Sequence, residues 1–63
     1  MERKKMRELR GNRSQRQIAD LLGMSQQQYS YIENGKRGIK PQYFKKFEVI
    51  FNEKIEKLAP DIF

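Results

Sequence analysis

The sequence predicts an all-α domain of five short helices. Three observations predict it: apolar residues recur three and four positions apart wherever they cluster, no segment alternates with the period of two that a strand needs, and Gly, Asn and Pro interrupt the chain at short intervals.

The first element, about residues 2–10, puts Met6 and Leu9 on one side of a charged segment, and Gly11-Asn12 ends it. Ser14 suits the cap of a second helix, about 15–22, with Gln17 at its third position reaching back. Its apolar set is Ile18, Ala19, Leu21 and Leu22, and Gly23 suits a left-handed residue just past its end. Ser25 and Gln28 repeat the pairing at a third helix, about 26–33, whose inner stripe is Tyr29 and Ile32 and which Asn34-Gly35 ends. Pro41 fits the first position of a fourth helix, about 41–51, where its missing N–H has no partner to lose. Phe44, Phe47, Ile50 and Phe51 form its stripe, and these phenylalanines are expected to supply most of the core volume. A fifth helix, about 53–59, carries Ile55 and Leu58; Pro60 stops it, and Asp61-Ile62-Phe63 follows as an apolar tail.

At 63 residues, without repeat, linker or low-complexity tract, the chain reads as a single domain over residues 1–63. A chain this short buries only about 60% of its unfolded surface, so its core is thin. With no Cys and no His it has no disulfide, no thiolate metal site and no usual general base. No pair of residues suggests acid–base or nucleophilic chemistry, so the expectation is no catalytic residue, no metal, no cofactor and no enzymatic activity. No apolar run approaches the ~20 residues that span a bilayer, and the basic Met1–Lys5 leads into no apolar stretch; a soluble, cytoplasmic protein is expected.

The net charge of +6 is unevenly placed. Residues 1–16 carry +5 and residues 36–46 another +5, while 17–35 and 47–63 each carry −2. Two basic blocks flank a nearly neutral centre rich in Gln, Ser and Tyr. Charge runs are usually solvated faces, but this arrangement also fits a polyanion, gripped by the flanks and read by the centre.

The centre has a stricter pattern. In the unit 15–34, Ala19 stands where two backbones would approach, Gly23 where a tight turn would fall, and Tyr29 and Ile32 where large side chains would fill the crook between two steeply crossed helices. This is the spacing of a helix-turn-helix. On a helical wheel with Tyr29 and Ile32 inside, Gln27, Ser30 and Tyr31 point away and Gln26 lies at the margin; Gln is the side chain that pairs bidentately with adenine.

Ser14-Gln15, Ile18-Ala19, Leu22-Gly23-Met24-Ser25-Gln26, Tyr29-Ser30 and Ile32-Glu33-Asn34-Gly35-Lys36-Arg37 resemble the Cro- and phage-repressor-like family, also called the XRE family. The resemblance covers nearly the whole chain. It implies a lambda-repressor-like fold with a helix-turn-helix formed by helices 2 and 3, and a sequence-specific double-stranded DNA-binding transcriptional regulator, a repressor, from a bacterium or phage. The third helix would lie in the major groove with Gln26, Gln27, Gln28 and Tyr31 toward bases. Phosphates would be held by Arg10, Arg13, Gln15, Arg16, Ser30, Asn34, Lys36 and Arg37, with backbone N–H groups of the Asn34–Arg37 loop taking part. Family members pair through the region matching Phe51, Ile55, Leu58, Ile62 and Phe63, which implies a homodimer on a near-palindromic operator; the same residues also read as core. The chain departs from the family in its short Leu9–Ser14 segment, in Lys40 where relatives have a capping Ser, and in Glu53 where they are apolar.

Other readings accompany these. Tyr29 reads as core and Glu33 as structural, pairing with Arg10 or Arg7. Asn34 also suits a left-handed residue. Lys45 and Lys46 read as a solvated face, and for Arg3, Lys4 and Lys5 phosphate contact and mobility both stay open. The same fold also serves DNA-binding antitoxins, with a toxin as partner, and control proteins of restriction systems. A non-catalytic protein-interaction module would more naturally carry apolar residues where Gln26–Gln28 stand.

Overall fold

Ser14 and Ser25 each start a helix, and they do so identically. In the computed structural model, which describes residues 3–62, each hydroxyl accepts the N–H of the glutamine three residues on, at 3.1 Å. Each glutamine's Oε1 in turn accepts the serine's N–H, at 2.8 Å for Ser14 and 3.2 Å for Ser25. Such a box satisfies two of the four donors a helix start leaves unpaired. The described helices are α1 (Lys4–Arg10), α2 (Gln15–Leu22), α3 (Gln26–Glu33), α4 (Phe44–Phe51) and α5 (Ile55–Leu58). Single 3-10 turns, Pro41–Tyr43 and Pro60–Ile62, precede α4 and follow α5, and no strand occurs among the described residues.

The helix ends are as local as the starts. Gly23, at φ 74°, lets the Met24 N–H reach back to the Ala19 carbonyl at 3.0 Å. Gly35, at φ 75°, does the same for Lys36 on Tyr31 at 2.8 Å. Both conformations strain a residue with a side chain, which is why glycine stands at each. Asn34 is right-handed, at φ −82°; the left-handed asparagine is Asn52, at φ 52°, which ends α4.

Two boundaries differ from expectation. The Lys40 side chain offers no cap to the fourth helix, so the chain enters it through a tighter turn, the Tyr43 N–H bonding the Lys40 carbonyl at 2.9 Å, and α4 begins only at Phe44. α5 is four residues long, and Glu48 of α4 accepts the Ile55 N–H at its start.

All five helices feed one core: Met6 from α1, Ile18, Ala19 and Leu22 from α2, Tyr29 and Ile32 from α3, Phe47 and Phe51 from α4, and Ile55 and Leu58 from α5, joined by Ile39 and Ala59 from the connections. Each large apolar side chain so buried contributes roughly 1.5–3 kcal/mol. The phenylalanines supply less of it than expected. Phe47 and Phe51 stack with ring centroids 5.9 Å apart, but Phe44 and Ile50 are only half-buried, and Tyr29 ranks with Phe47 among the largest fully buried side chains. Leu21, assigned to the apolar set of α2, is 58% exposed, because α3 and α4 pack on the side of α2 that holds Ile18 and Leu22. Phe51, Ile55 and Leu58, considered for a dimer contact, all belong to the core of the single chain, at 3%, 6% and 0% exposed. Ile62 is half-buried, and Phe63 lies outside the described residues.

Candidate nucleic-acid interface

α2 and α3 form the unit that the spacing predicts. Ile18, Ala19 and Leu22 of α2 and Tyr29 and Ile32 of α3 turn into the core, and the other side of α3 is left to solvent. Gln26, Gln27 and Gln28 are exposed there, and Ser30 and Tyr31 are half-exposed. The Gln27 side-chain amide donates to the Tyr31 hydroxyl at 2.9 Å. Lys36 and Arg37 lie over the Tyr31 ring, 5.9 and 5.4 Å from its centroid. A hydrogen-bonding surface therefore runs without a break from the first turn of α3 into a cationic loop. Beyond it Met24, Gln28, Ile32, Arg37, Gly38, Lys40 and Tyr43 line a depression, which adds one further cation, Lys40, beside Gln28 and Arg37.

The orientation of α3 is fixed by Glu33 at its end. This carboxylate is fully buried. Arg10 of α1 donates to it twice, Nε to Oε2 at 2.8 Å and Nη2 to Oε1 at 3.1 Å. The Tyr29 hydroxyl donates to Oε2 at 2.7 Å, and the Gln15 side-chain amide, at the start of α2, to Oε1 at 3.1 Å. Arg7 comes within 3.7 Å. Burial pushes the Glu33 carboxyl up, but the hydrogen bonds from Arg10, Tyr29 and Gln15, with the Arg10 charge, outweigh it and hold the group below its usual range. The hydrogen bond to Glu33 also raises Arg10, and burial beside the carboxylate pushes the Tyr29 phenol up. At neutral pH the cluster is an ionised pair with a neutral phenol, and it ties α1, α2 and α3 together.

Several side chains assigned to phosphate therefore have other partners. Arg10 is spent on Glu33 and on the Arg13 carbonyl. Arg13 closes the end of α1: its guanidinium donates to the Leu9, Arg10 and Ile50 carbonyls at 3.0–3.3 Å and lies over the Phe51 ring. The short segment before Ser14 holds both arginines against the domain. Gln15 faces Glu33, and Gln28 has its Oε1 in the Ser25 cap. The four N–H groups of Asn34, Gly35, Lys36 and Arg37 all donate to carbonyls of α3, so the loop offers side chains and not backbone. Asn34 also donates its side-chain amide to Ser30 at 3.4 Å. Arg16, Lys36 and Arg37 are exposed at the surface.

Arg3, left open above between phosphate contact and mobility, has its partners inside the fold instead. It is 4% exposed and holds the Asp61 carboxylate through two hydrogen bonds, 3.1 and 2.8 Å. Its Nη1 donates to the Ile32 and Arg37 carbonyls, and its backbone N–H to the Glu33 carbonyl at 2.9 Å. Its partner lies 58 positions away, beyond any local signal.

A helical pair pinned in this way, with amides and cations facing outward, defines a DNA-binding module. Residues 4–58 match the family model described as helix-turn-helix, and the chain belongs to that family, as a DNA-binding regulator of the XRE kind. No curated protein and no solved structure matches it. Among the described residues no helix is long and apolar enough to cross a membrane, and no group of His, Cys, Asp and Glu side chains is arranged to hold a metal ion.

Proposed function

We propose that the protein is a sequence-specific double-stranded DNA-binding transcriptional regulator that lays α3 in the major groove. The observation that carries this reading is the contrast between the two sides of α3: one is locked into the core and onto Glu33, while the other exposes Gln26 and Gln27 beside Tyr31. A base edge rewards paired donors and acceptors held at a fixed angle, and Gln supplies both. Gln26 and Gln27 read bases. Gln28, its oxygen engaged in the cap, keeps its NH2 for an acceptor, and Tyr31 contacts the adjacent base or backbone. Arg16, Ser30, Asn34, Lys36 and Arg37 grip phosphates, with Gln15 at the start of α2. Arg10 and Arg13 act from behind by holding the helices in place.

The domain measures 26 × 22 × 22 Å. One copy therefore spans less than the ~34 Å helical turn that separates paired half-sites. Two copies on a near-palindromic operator are the natural arrangement for selectivity, and occupation of such a site represses by blocking access, which requires no additional surface. The setting is the bacterial or phage-infected cytoplasm, at the nucleoid.

Titration of labelled duplex, single-stranded DNA and duplex RNA across a salt series tests the class of ligand. Tightest binding to duplex DNA, weakening steeply with salt, supports the reading, and equal affinity for all three contradicts it. Sedimentation of the protein with and without its preferred duplex tests the pairing; a single copy on the duplex would reject the homodimer.

A further inference from the structure

α3 ends without a cation of its own: its last turn holds no basic residue. The negative end of a helix dipole and its unpaired carbonyls favour a positive charge there. Arg3 supplies it from outside the helix, donating to the Ile32 carbonyl through its guanidinium and to the Glu33 carbonyl through its backbone N–H. The same guanidinium reaches the Arg37 carbonyl at 2.7 Å, on the far side of the Asn34–Arg37 loop. Asp61, in the last turn of the described chain, neutralises it and fixes its plane through two parallel bonds. Arg3 is thus the point at which the end of α3, the cationic loop and the C-terminal turn meet. The charge is buried, so its geometry is tightly constrained by these partners.

We propose that Arg3, held by Asp61, is a positioning residue for DNA binding: it sets the loop so that Lys36 and Arg37 face phosphate together, and it makes affinity for DNA depend on the C-terminal turn. This rests on the DNA-binding reading above. Neither Arg3 nor Asp61 contacts the ligand. With Asp61→Asn the guanidinium loses the opposite charge and one of its two acceptor oxygens, its hold on the Arg37 carbonyl loosens, and the loop samples positions in which Arg37 misses its phosphate. The complex then forms without that contact, and affinity falls with a shallower dependence on salt.

The test uses Asp61→Asn and Arg3→Met in the full chain, with duplex titrations over a salt series, at a temperature where circular dichroism shows each variant folded. Asp61 lies at the surface, so its variant keeps the test open where Arg3→Met does not fold. The expected result is a loss of about tenfold on preferred and random duplexes alike, with a salt slope lower by about one unit, as for one phosphate contact missing from the complex. A merely structural role would leave the slope of the folded fraction unchanged, and lower affinity with an unchanged slope overturns the proposal. Wild-type affinity and slope in both folded variants overturn it as well. A wild-type chain that binds no duplex overturns the DNA-binding reading itself, a result distinguishable from either of these.

Discussion

The Arg10 guanidinium and the Glu33 carboxylate meet through two parallel hydrogen bonds, 2.8 and 3.1 Å long, with Glu33 wholly buried and Arg10 19% exposed along its side chain. The pair joins α1 to the end of α3. Removing Arg10 leaves Glu33 charged and fully buried without its main counter-charge, whereas removing both charges does not. Arg10→Met alone is expected to destabilise the fold by about 3–5 kcal/mol, and Arg10→Met with Glu33→Gln by distinctly less. Denaturant unfolding of the two variants checks this; equal losses would mean the pair is not the buried unit described.

Acid should act on the same bond. Glu33 and Asp61 are both held below their ordinary values in the folded chain, Glu33 by Arg10, Tyr29 and Gln15 against the upward push of burial, Asp61 by Arg3. A depressed carboxylate stabilises fully above its unfolded value, and the contribution is lost as pH falls through the folded value. Stability is therefore expected to be level above about pH 5 and to decline below it. Tyr29 acts at the other end: its raised phenol stabilises fully below the ordinary tyrosine value of 10.0 and progressively less above it. Unfolding free energies at a series of pH values check both limbs, and Glu33→Gln should flatten the acid one.

Reading and gripping should separate by mutation. Gln27→Ala is expected to cost about 1–3 kcal/mol on the preferred duplex and to relax selectivity at one position. Lys36→Ala is expected to weaken all duplexes alike and lower the salt slope by about one unit. Titration against preferred and scrambled duplexes distinguishes them, and identical losses on scrambled DNA would contradict the division of roles.

The two faces of α2 should respond differently. Leu22→Ala empties a fully buried site and is expected to cost about 2–5 kcal/mol. Leu21→Ser changes an exposed residue and is expected to stay within about 0.5 kcal/mol. Thermal unfolding of the two variants is the check.

What the sequence revealed follows the range of the forces involved. The Ser14–Gln17 and Ser25–Gln28 caps and the glycine turn at Gly23 are set within a few residues, and all appear as expected. The Glu33–Arg10 pair was legible because an acid on an otherwise DNA-facing unit needs a basic partner. Leu21 was not, since it stands three positions after Ile18, near it on the wheel, and only the packing of α3 and α4 decides which side is inside. Phe51, Ile55 and Leu58 have a spacing that suits core and interface alike, and only the packing of the single chain shows that all three join its core. Arg13 read as a phosphate contact because charge is visible in a sequence, while the carbonyls left open at the end of α1 that engage it are not. Arg3 and Asp61, at opposite ends of the chain, carry no mutual signal at all.

Selection of binding sites from random duplexes at moderate salt bears most directly on the claim that α3 reads bases, run in parallel for the wild type and Gln27→Ala. The account expects a two-fold-related motif with half-sites about one helical turn apart, and loss of preference at one position of each half-site in the variant. No enriched motif in the wild type, or the same motif from both proteins, would contradict it.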